Sequence, residues 1–272
     1  GDVGIRIGAV TIDHQLQKNS AEVAHRASEL SKSLGVDFAE VIPVKVESGP
    51  GSGGLEAAAR TARRAALEQA ALQHQASAIL LGHTLDDQAE TVLLGLARGS
   101  GARSLAGMRE VDGLYRRPFL NLSRDLVRSV VQDLQVYDDP HNDSLEFSRV
   151  RVRHSVLPVL ESELGPGISD ALARTADMLR DDADLLDELA QQERDKVGFD
   201  VAALSALPKA LRTRVLRLLA IESGCSVNDL NREHIIAVDR LLTNWHGQGP
   251  LNLPGSVNVE RVHGRLTFYK TR

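Results

Sequence analysis

The segment Ser77-Ala78-Ile79-Leu80-Leu81-Gly82-His83-Thr84-Leu85-Asp86-Asp87-Gln88-Ala89-Glu90-Thr91 decides the fold class. Its first half, Ser77 to His83, is a short apolar run of the kind a buried strand shows. Its second half opens a helix, Asp86 to Arg98, that Gly99 stops. The same alternation fills the residues before it. Ile5 to Ile12 reads as a β-branched strand ending at Asp13-His14. Ser20 to Leu34 reads as a helix with Ala21, Ala24, Ala27, Leu30 and Leu34 on one face. Phe38 to Val46 reads as a strand, and Pro43 within it marks an edge or an interruption. Leu55 to His74 is Ala-rich and strongly helical. Alternating strands and helices predict an α/β fold, a parallel sheet with helices on both faces. In open sheets of this kind ligands bind outside the carboxyl ends of the strands. Two polar clusters fall at such ends: Asp13-His14, and Gly82-His83 with Asp86-Asp87.

Downstream, Arg98 to His154 carries many arginines and no lysine. Arginine suits planar, bidentate partners such as phosphate or carboxylate. Arg149-Val150-Arg151-Val152-Arg153-His154 alternates Arg with Val. If the segment is extended, its three arginines share one face, a comb suited to a polyphosphate or a nucleic-acid backbone. The bland alternative is a solvated edge strand. After Pro158 the character changes. An acidic helix is expected from about Ser169 to Glu193, a second from Pro208 to about Ile221, and a third from Asn228 to about Leu242. The tail, Leu251 to Tyr269, reads as short strands around Pro254-Gly255 and His263-Gly264. The expected organisation is residues 1–160 as the α/β domain and 161–272 as a smaller, mainly helical domain with a short β end.

Composition narrows the function classes. In 272 residues, 32 Lys+Arg against 37 Asp+Glu leave a net charge of −5, which excludes a uniformly basic nucleic-acid binder. The single Cys225 excludes a disulfide framework within the chain and suits a reducing compartment. Aromatics are only 3%, too few for extensive base-stacking platforms. No apolar run reaches the length of a membrane span, and no signal peptide is evident.

Each polar cluster has two readings. His83, Asp86 and Asp87 can hold a hard cation between a carboxylate and a phosphate, or they can simply start a helix, with Asp86 or Asp87 as its cap. Asp13-His14 can add a second carboxylate to that site or can end a strand in a turn. Arg60 with Arg63 or Arg64 forms a basic helix face or a solvated one. Gly99-Ser100-Gly101-Ala102-Arg103-Ser104 can bring backbone N–H groups to an anion or serve as a C-cap and turn. The glycine-rich run Gly49-Pro50-Gly51-Ser52-Gly53-Gly54 lacks the Lys-Ser/Thr ending of a phosphate cradle and reads as a flexible loop. Cys225 reads as structural.

The order of these pieces resembles the tRNA(Ile)-lysidine synthetase family of PP-loop ATP pyrophosphatases. The resemblance rests on Gly82 through Leu94, then Arg98-Gly99-Ser100-Gly101 and Leu105-Ala106-Gly107-Met108. Asp13-His14, Glu56-Ala57-Ala58-Ala59-Arg60, Arg117-Pro118-Phe119-Leu120, Asp139-Pro140-His141-Asn142 and the Arg149–His154 run into Leu157-Pro158 complete it. Together they cover roughly residues 5 to 160; the helical remainder resembles the family's second domain more loosely.

The resemblance implies a reaction. ATP activates C2 of the wobble cytidine in a CAU-anticodon tRNA(Ile) and releases pyrophosphate; the lysine ε-amine then displaces AMP, giving lysidine. Such a site needs cationic groups and a metal, Mg²⁺, on the phosphates, and a means of keeping the attacking amine neutral. Carried over by motif, His83, Asp86, Asp87 and Glu90 are the expected catalytic residues, with Asp86 and Asp87 toward the metal. Asp13, His14, Gly82, His83 and Arg60 are expected to bind the nucleotide. Arg63, Arg98, Arg103, Arg117, Arg124, Arg149, Arg151 and Arg153 are expected on tRNA phosphates or the lysine carboxylate. The implied partners are tRNA(Ile) and free lysine, with a homodimer as a further expectation. No membrane partner is expected, and the compartment is cytoplasmic.

The family's Ser-Gly-Gly-x-Asp-Ser hallmark does not occur in these 272 residues. In the family it precedes the Asp13 position by several dozen residues, on a strand lying between those that end at Asp13 and His83. The reading therefore expects an N-terminally shortened chain. Its rivals are a non-catalytic tRNA-binding fragment and a related PP-loop tRNA-modifying enzyme. The base-thiolating members of that class commonly need catalytic cysteines, and Cys225 stands alone.

Overall fold

The computed structural model describes residues 4–17, 19–47, 54–99, 101–134, 136–137 and 144–271, the Glu56 side chain excepted. The expected glycine-rich loop, apart from Gly54, lies outside the described residues, as do Ser100 and Asp139-Pro140-His141-Asn142. The chain divides into two units, Gly1–Arg98 with Gly107–Ala173, and Gly99–Ala106 with Arg174–Arg272.

In the first unit, β1 (Gly8–Asp13) and β2 (Phe38–Pro43) pair in parallel, from Gly8 opposite Phe38 to Asp13 opposite Pro43. Helix α1 (Ser20–Ser33) makes the crossover between them, as a parallel pair requires. Pro43, which has no N–H to donate, is the last residue of its strand. The Ala-rich α2 (Leu55–Gln73) leads to β3 (Ile79–Leu80). A hairpin that the sequence reading lacked, β4 (Val111–Asp112) and β5 (Tyr115–Arg116), pairs with it, β5 parallel to β3 and antiparallel to β4. The parallel pairing thus falls into two ladders, β1-β2 and β3-β5-β4. A cavity of about 720 Å³, lined by Gly8, Val10, Leu67, Ala70, Ile79 and Leu80 among others, touches the edges of both.

Helix α3 (Leu85–Ala97) follows β3 directly. Its N-cap residue is Thr84, not Asp86 or Asp87. Asp87 instead reaches back, and its Oδ2 accepts the Thr84 N–H at 2.8 Å and the Thr84 hydroxyl at 3.0 Å. That is the return half of a capping box. Gln88, 2% exposed, braces the segment beyond α3. Its side-chain amide donates to Met108 O at 2.9 Å, and its carbonyl accepts from Met108 N at 2.7 Å. Gly107 carries φ +60°, and a Cβ there would meet the Gln88 side chain. The Gly107-Met108 pair is therefore fixed by the brace.

Helix α4 (Ala102–Leu105) belongs to the second unit. In the first unit, α5 (Arg124–Val130) starts at Ser123, and α6 (Ser148–Arg151) runs into a π-helical turn (Val152–Val156) and then α7 (Leu157–Leu164). This last run corrects the sequence reading. Arg149 to His154 is helical, not extended, so its arginines do not form a comb on one face. Val152 and Leu157 are buried with Ala89 of α3.

The second unit holds most of α8 (Ile168–Val197), then α9 (Val201–Ala206), α10 (Lys209–Glu222) and α11 (Arg232–Thr243). An antiparallel sheet, β6 (Leu251–Leu253), β7 (Val257–Val262) and β8 (Arg265–Lys270), closes the chain as the sequence predicts. Leu204, Leu216, Leu219, Leu241, Val257 and Val259 make a core excluded from solvent, and Cys225 is buried with them. The acidic helix presents Ala176, Ala183 and Ala190, all buried, at seven-residue spacing. No helix among the described residues is long and apolar enough to cross a membrane.

Candidate active site

The loop after β3 sets His83 at the carboxyl end of that strand, one residue before the cap of α3. Burial lowers the His83 pKa to about 4, and Arg117, Arg149 and Arg60 push it the same way while Asp87 opposes them. The imidazole is therefore neutral at physiological pH. Its Nδ1 is buried with no hydrogen-bond partner among the described residues. A buried polar atom left so is what a bound ligand or water satisfies.

Arginines surround it. Arg60 and Arg63 sit on α2, and among the described residues neither meets a carboxylate. Burial lowers the Arg63 pKa, as do the charges of Arg60 and Arg149. Arg117 is only 5% exposed; it donates to Arg109 O at 2.6 Å and stands 3.7 Å from Asp112. Its Nε is also unpartnered. The first-unit site thus holds more positive than negative charge, which favours a polyanion.

At the end of β1, Asp13 is 5% exposed. Its Oδ1 accepts the Gln15 N–H at 2.9 Å, the strand-ending turn. His14 beside it has an unpartnered buried Nδ1. Burial lowers its pKa and Arg63 adds to that, against Asp13. A cavity of about 190 Å³ opens here, lined by Asp13, His14, Leu16, Val23, Ala24 and Tyr137 among others.

The α3 carboxylates are already engaged. Asp86 Oδ2 accepts the Arg124 N–H at 2.7 Å, fastening the start of α5. Asp87 Oδ1 pairs with Arg124 at 3.2 Å and Arg153 at 3.6 Å. Burial opposes its ionisation, but the Thr84 N–H, Arg124 and the Thr84 hydroxyl together hold its pKa below the usual value. Glu90 is fully buried, and Arg124, Arg149 and Arg153 converge on it. Among the described residues, no three His, Cys, Asp or Glu side chains form a metal cage. Mg²⁺ does not require one; it keeps several waters and bridges one or two carboxylates to phosphates. Asp86 can supply one such carboxylate oxygen.

Other expected residues lie elsewhere. Arg98 is the C-cap of α3, about 19 Å along the helix from its N-terminus. Arg103 belongs to the second unit, where it pairs with Asp184 at 2.6 Å and with Asp187. Arg151 donates to Leu145 O and Glu146 O at 2.7 and 2.8 Å, on a different helical face from Arg149 and Arg153. The sequence reading missed Thr91, whose hydroxyl accepts from Arg149 at 2.8 Å, and Asp112 beside Arg117. Thr91 stands one residue after Glu90 in the quoted segment; nothing in the sequence marks Asp112.

Comparison with known proteins identifies the family. A PP-loop domain matches residues 2–160, and a TilS substrate binding domain matches residues 199–267. The tRNA(Ile)-lysidine synthase of Thermobifida fusca is 51% identical over 97% of this chain and 83% of its own length. That of Streptomyces coelicolor is 52% identical over 98% of this chain and 78% of its own. The U34-tRNA thiolase NcsA of Methanococcus maripaludis has a similar fold, with a TM-score of 0.50 and 18% identity, covering 64% of this chain and 62% of that one. PP-loop pyrophosphatases of this kind use ATP, typically with Mg²⁺. With its two domain matches and relatives that align along nearly its whole length, the chain belongs to the tRNA(Ile)-lysidine synthase family.

Proposed function

We propose that the protein carries out the family's reaction on a CAU-anticodon tRNA(Ile). The observation that carries this reading is the His83 imidazole that follows β3, its buried Nδ1 without a partner among the described residues and the charges of Arg60, Arg117 and Arg149 around it. That is a site prepared for anions and for an uncharged hydrogen-bonding group. In the first step the C2 carbonyl oxygen of the wobble cytidine bonds to the α-phosphorus of ATP, and the bond to the β-phosphate breaks. Arg60, Arg63 and Arg117 stabilise the charge that gathers on pyrophosphate. Mg²⁺ held by Asp86 and the phosphates would neutralise part of the same charge. In the second step the ε-amine of free lysine bonds to C2, the C2–O bond breaks, and AMP leaves with that oxygen. The ε-ammonium gives one proton to water to become the nucleophile and a second to water once the C2–N bond has formed; the surrounding cations disfavour its ammonium form.

Asp13, His14 and Gly82 are proposed to line the nucleotide pocket, with the cavity at the end of β1 as support. His83 offers a hydrogen bond without charge. Asp87 serves by holding the α3 start and the arginines beside it. Arg124, Arg149 and Arg153 are proposed to face tRNA phosphate or the lysine carboxylate. The portion 161–272 is the proposed tRNA-binding accessory part. A cytoplasmic location and a homodimer complete the reading; the presence of a single cysteine, the buried Cys225, supports the compartment.

ATP affinity tests it. Arg60→Gln and Arg63→Gln in the complete protein should each weaken ATP binding roughly 10-fold, the size of a lost charge-assisted hydrogen bond. Unchanged affinity in both would remove the cationic phosphate site.

A further inference from the structure

We propose that Glu90 is a positioning residue: its buried carboxylate gathers Arg124, Arg149 and Arg153 into one cationic face, and it does not itself meet substrate. The inference deepens the function proposed above and rests on it.

Glu90 has no solvent exposure, while the three arginine side chains are each between 22% and 25% exposed. Substrate can reach the guanidinium groups and not the carboxylate. Both carboxylate oxygens are occupied. Oε1 lies 2.7 Å from Arg153 Nε and 3.1 Å from Arg124 Nη2. Oε2 accepts from Arg153 Nη2 at 3.2 Å and stands 2.9 Å from Arg149 Nε, an ion pair without the alignment of a hydrogen bond. The arginines come from α5, α6 and the π-helical turn; Asp87 touches the same three, through its Oδ1 at 3.2 Å from Arg124 and 3.6 Å from Arg153 and its backbone O, which accepts from Arg149 at 3.4 Å, but only Glu90 is fully buried beneath them.

The charge pattern explains why the anion is needed. Three guanidinium groups this close repel one another. A fully buried carboxylate is costly unless paired and hydrogen-bonded; here Arg153 and Arg124 hydrogen-bond it and Arg149 adds a third ion pair. Each guanidinium has five N–H donors; Arg153 spends two on Glu90 and Arg124 one, while Arg149 pairs with it by charge alone. Arg149 places one on Thr91 Oγ1 at 2.8 Å. Some of the others meet Asp87, and the exposed remainder is the proposed surface for an oxyanion. The helical, not extended, run brings Arg149 and Arg153 to the same carboxylate, because residues four apart share a helix face.

Steady-state kinetics of the complete protein test this. Glu90→Gln keeps the shape and removes the charge. We expect KM for tRNA or for lysine to rise about 10-fold or more, with kcat changed less than about threefold and an unaltered pH–rate profile. Glu90→Gln placed in an Arg153→Gln background should add little, since both act through one cluster. An acid–base role would instead lower kcat by about 10²–10⁴ and delete a limb of the pH profile, and that result overturns the proposal. Additive effects of the two substitutions would overturn it too. Should Glu90→Gln fail to fold, Arg149→Gln and Arg153→Gln must still raise the same KM, and normal KM values in both would contradict it. Loss of all turnover in the unsubstituted protein would instead refute the function proposed above. The substrate whose KM moves tells tRNA phosphate from lysine carboxylate.

Discussion

The guanidinium of Arg153 meets the carboxylate of Glu90 at 2.7 Å although 63 residues separate them in the chain. This ion pair ties the π-helical turn to α3 and sets which arginines can face a ligand. Arg149 shares the cluster and Arg151 does not. For the 272-residue chain, Arg151→Gln should leave tRNA affinity within about twofold and its salt dependence unchanged. Arg149→Gln should weaken binding and reduce the log–log salt slope by about 1, as the loss of one phosphate contact does. Filter binding across a potassium chloride series checks both; equal slopes for the two variants would restore the comb.

His83 gives a pH prediction. Its folded pKa is about 4, below the 6.5 of an unperturbed imidazole, chiefly through burial. Above pH 6.5 both folded and unfolded states are neutral there, and the residue contributes no pH dependence. Between 6.5 and about 4 the unfolded chain takes up the proton and the folded chain does not, so stability falls; below about 4 the loss levels off. Histidine NMR should show one ring titrating near pH 4, absent in His83→Gln. A ring at His83 titrating near 6.5 would contradict the neutral site.

Gly107→Ala should destabilise the protein by about 1–3 kcal/mol, because φ is +60° and the Gln88 side chain occupies the Cβ position. Urea unfolding followed by circular dichroism measures it. A change under about 0.5 kcal/mol, the range of ordinary surface substitutions, would show that the brace yields freely.

Arg103→Ala should cost at most about 1 kcal/mol, since its pairs with Asp184 and Asp187 are half exposed. ATP affinity should be unchanged. A large loss of ATP binding would give Arg103 a role that its pairing in the second unit does not suggest.

Some of this was legible in the sequence. Long periodic segments identified α1, α2, α8, α10 and α11, and the polar residues after apolar runs pointed to Asp13-His14 and His83. The β4-β5 hairpin was not legible, because two-residue strands carry no period. The Arg–Val alternation imitated a strand, while the four-residue spacing of Arg149 and Arg153 held the helical signal. Asp86 looked like a cap for its own helix; it fastens Arg124 across 38 residues, a tertiary bond that local pattern does not encode. Glu90 looked catalytic from its place in the motif, and its burial under three arginines emerged only in three dimensions.

The most direct test is pyrophosphate release by the complete protein with ATP, Mg²⁺, lysine and CAU-anticodon tRNA(Ile). The account predicts lysidine formation with one pyrophosphate per modified tRNA, lost in Asp87→Ala, which removes both the α3 anchor and an arginine partner. Pyrophosphate release that does not depend on tRNA, or near-normal lysidine formation by Asp87→Ala, would contradict it.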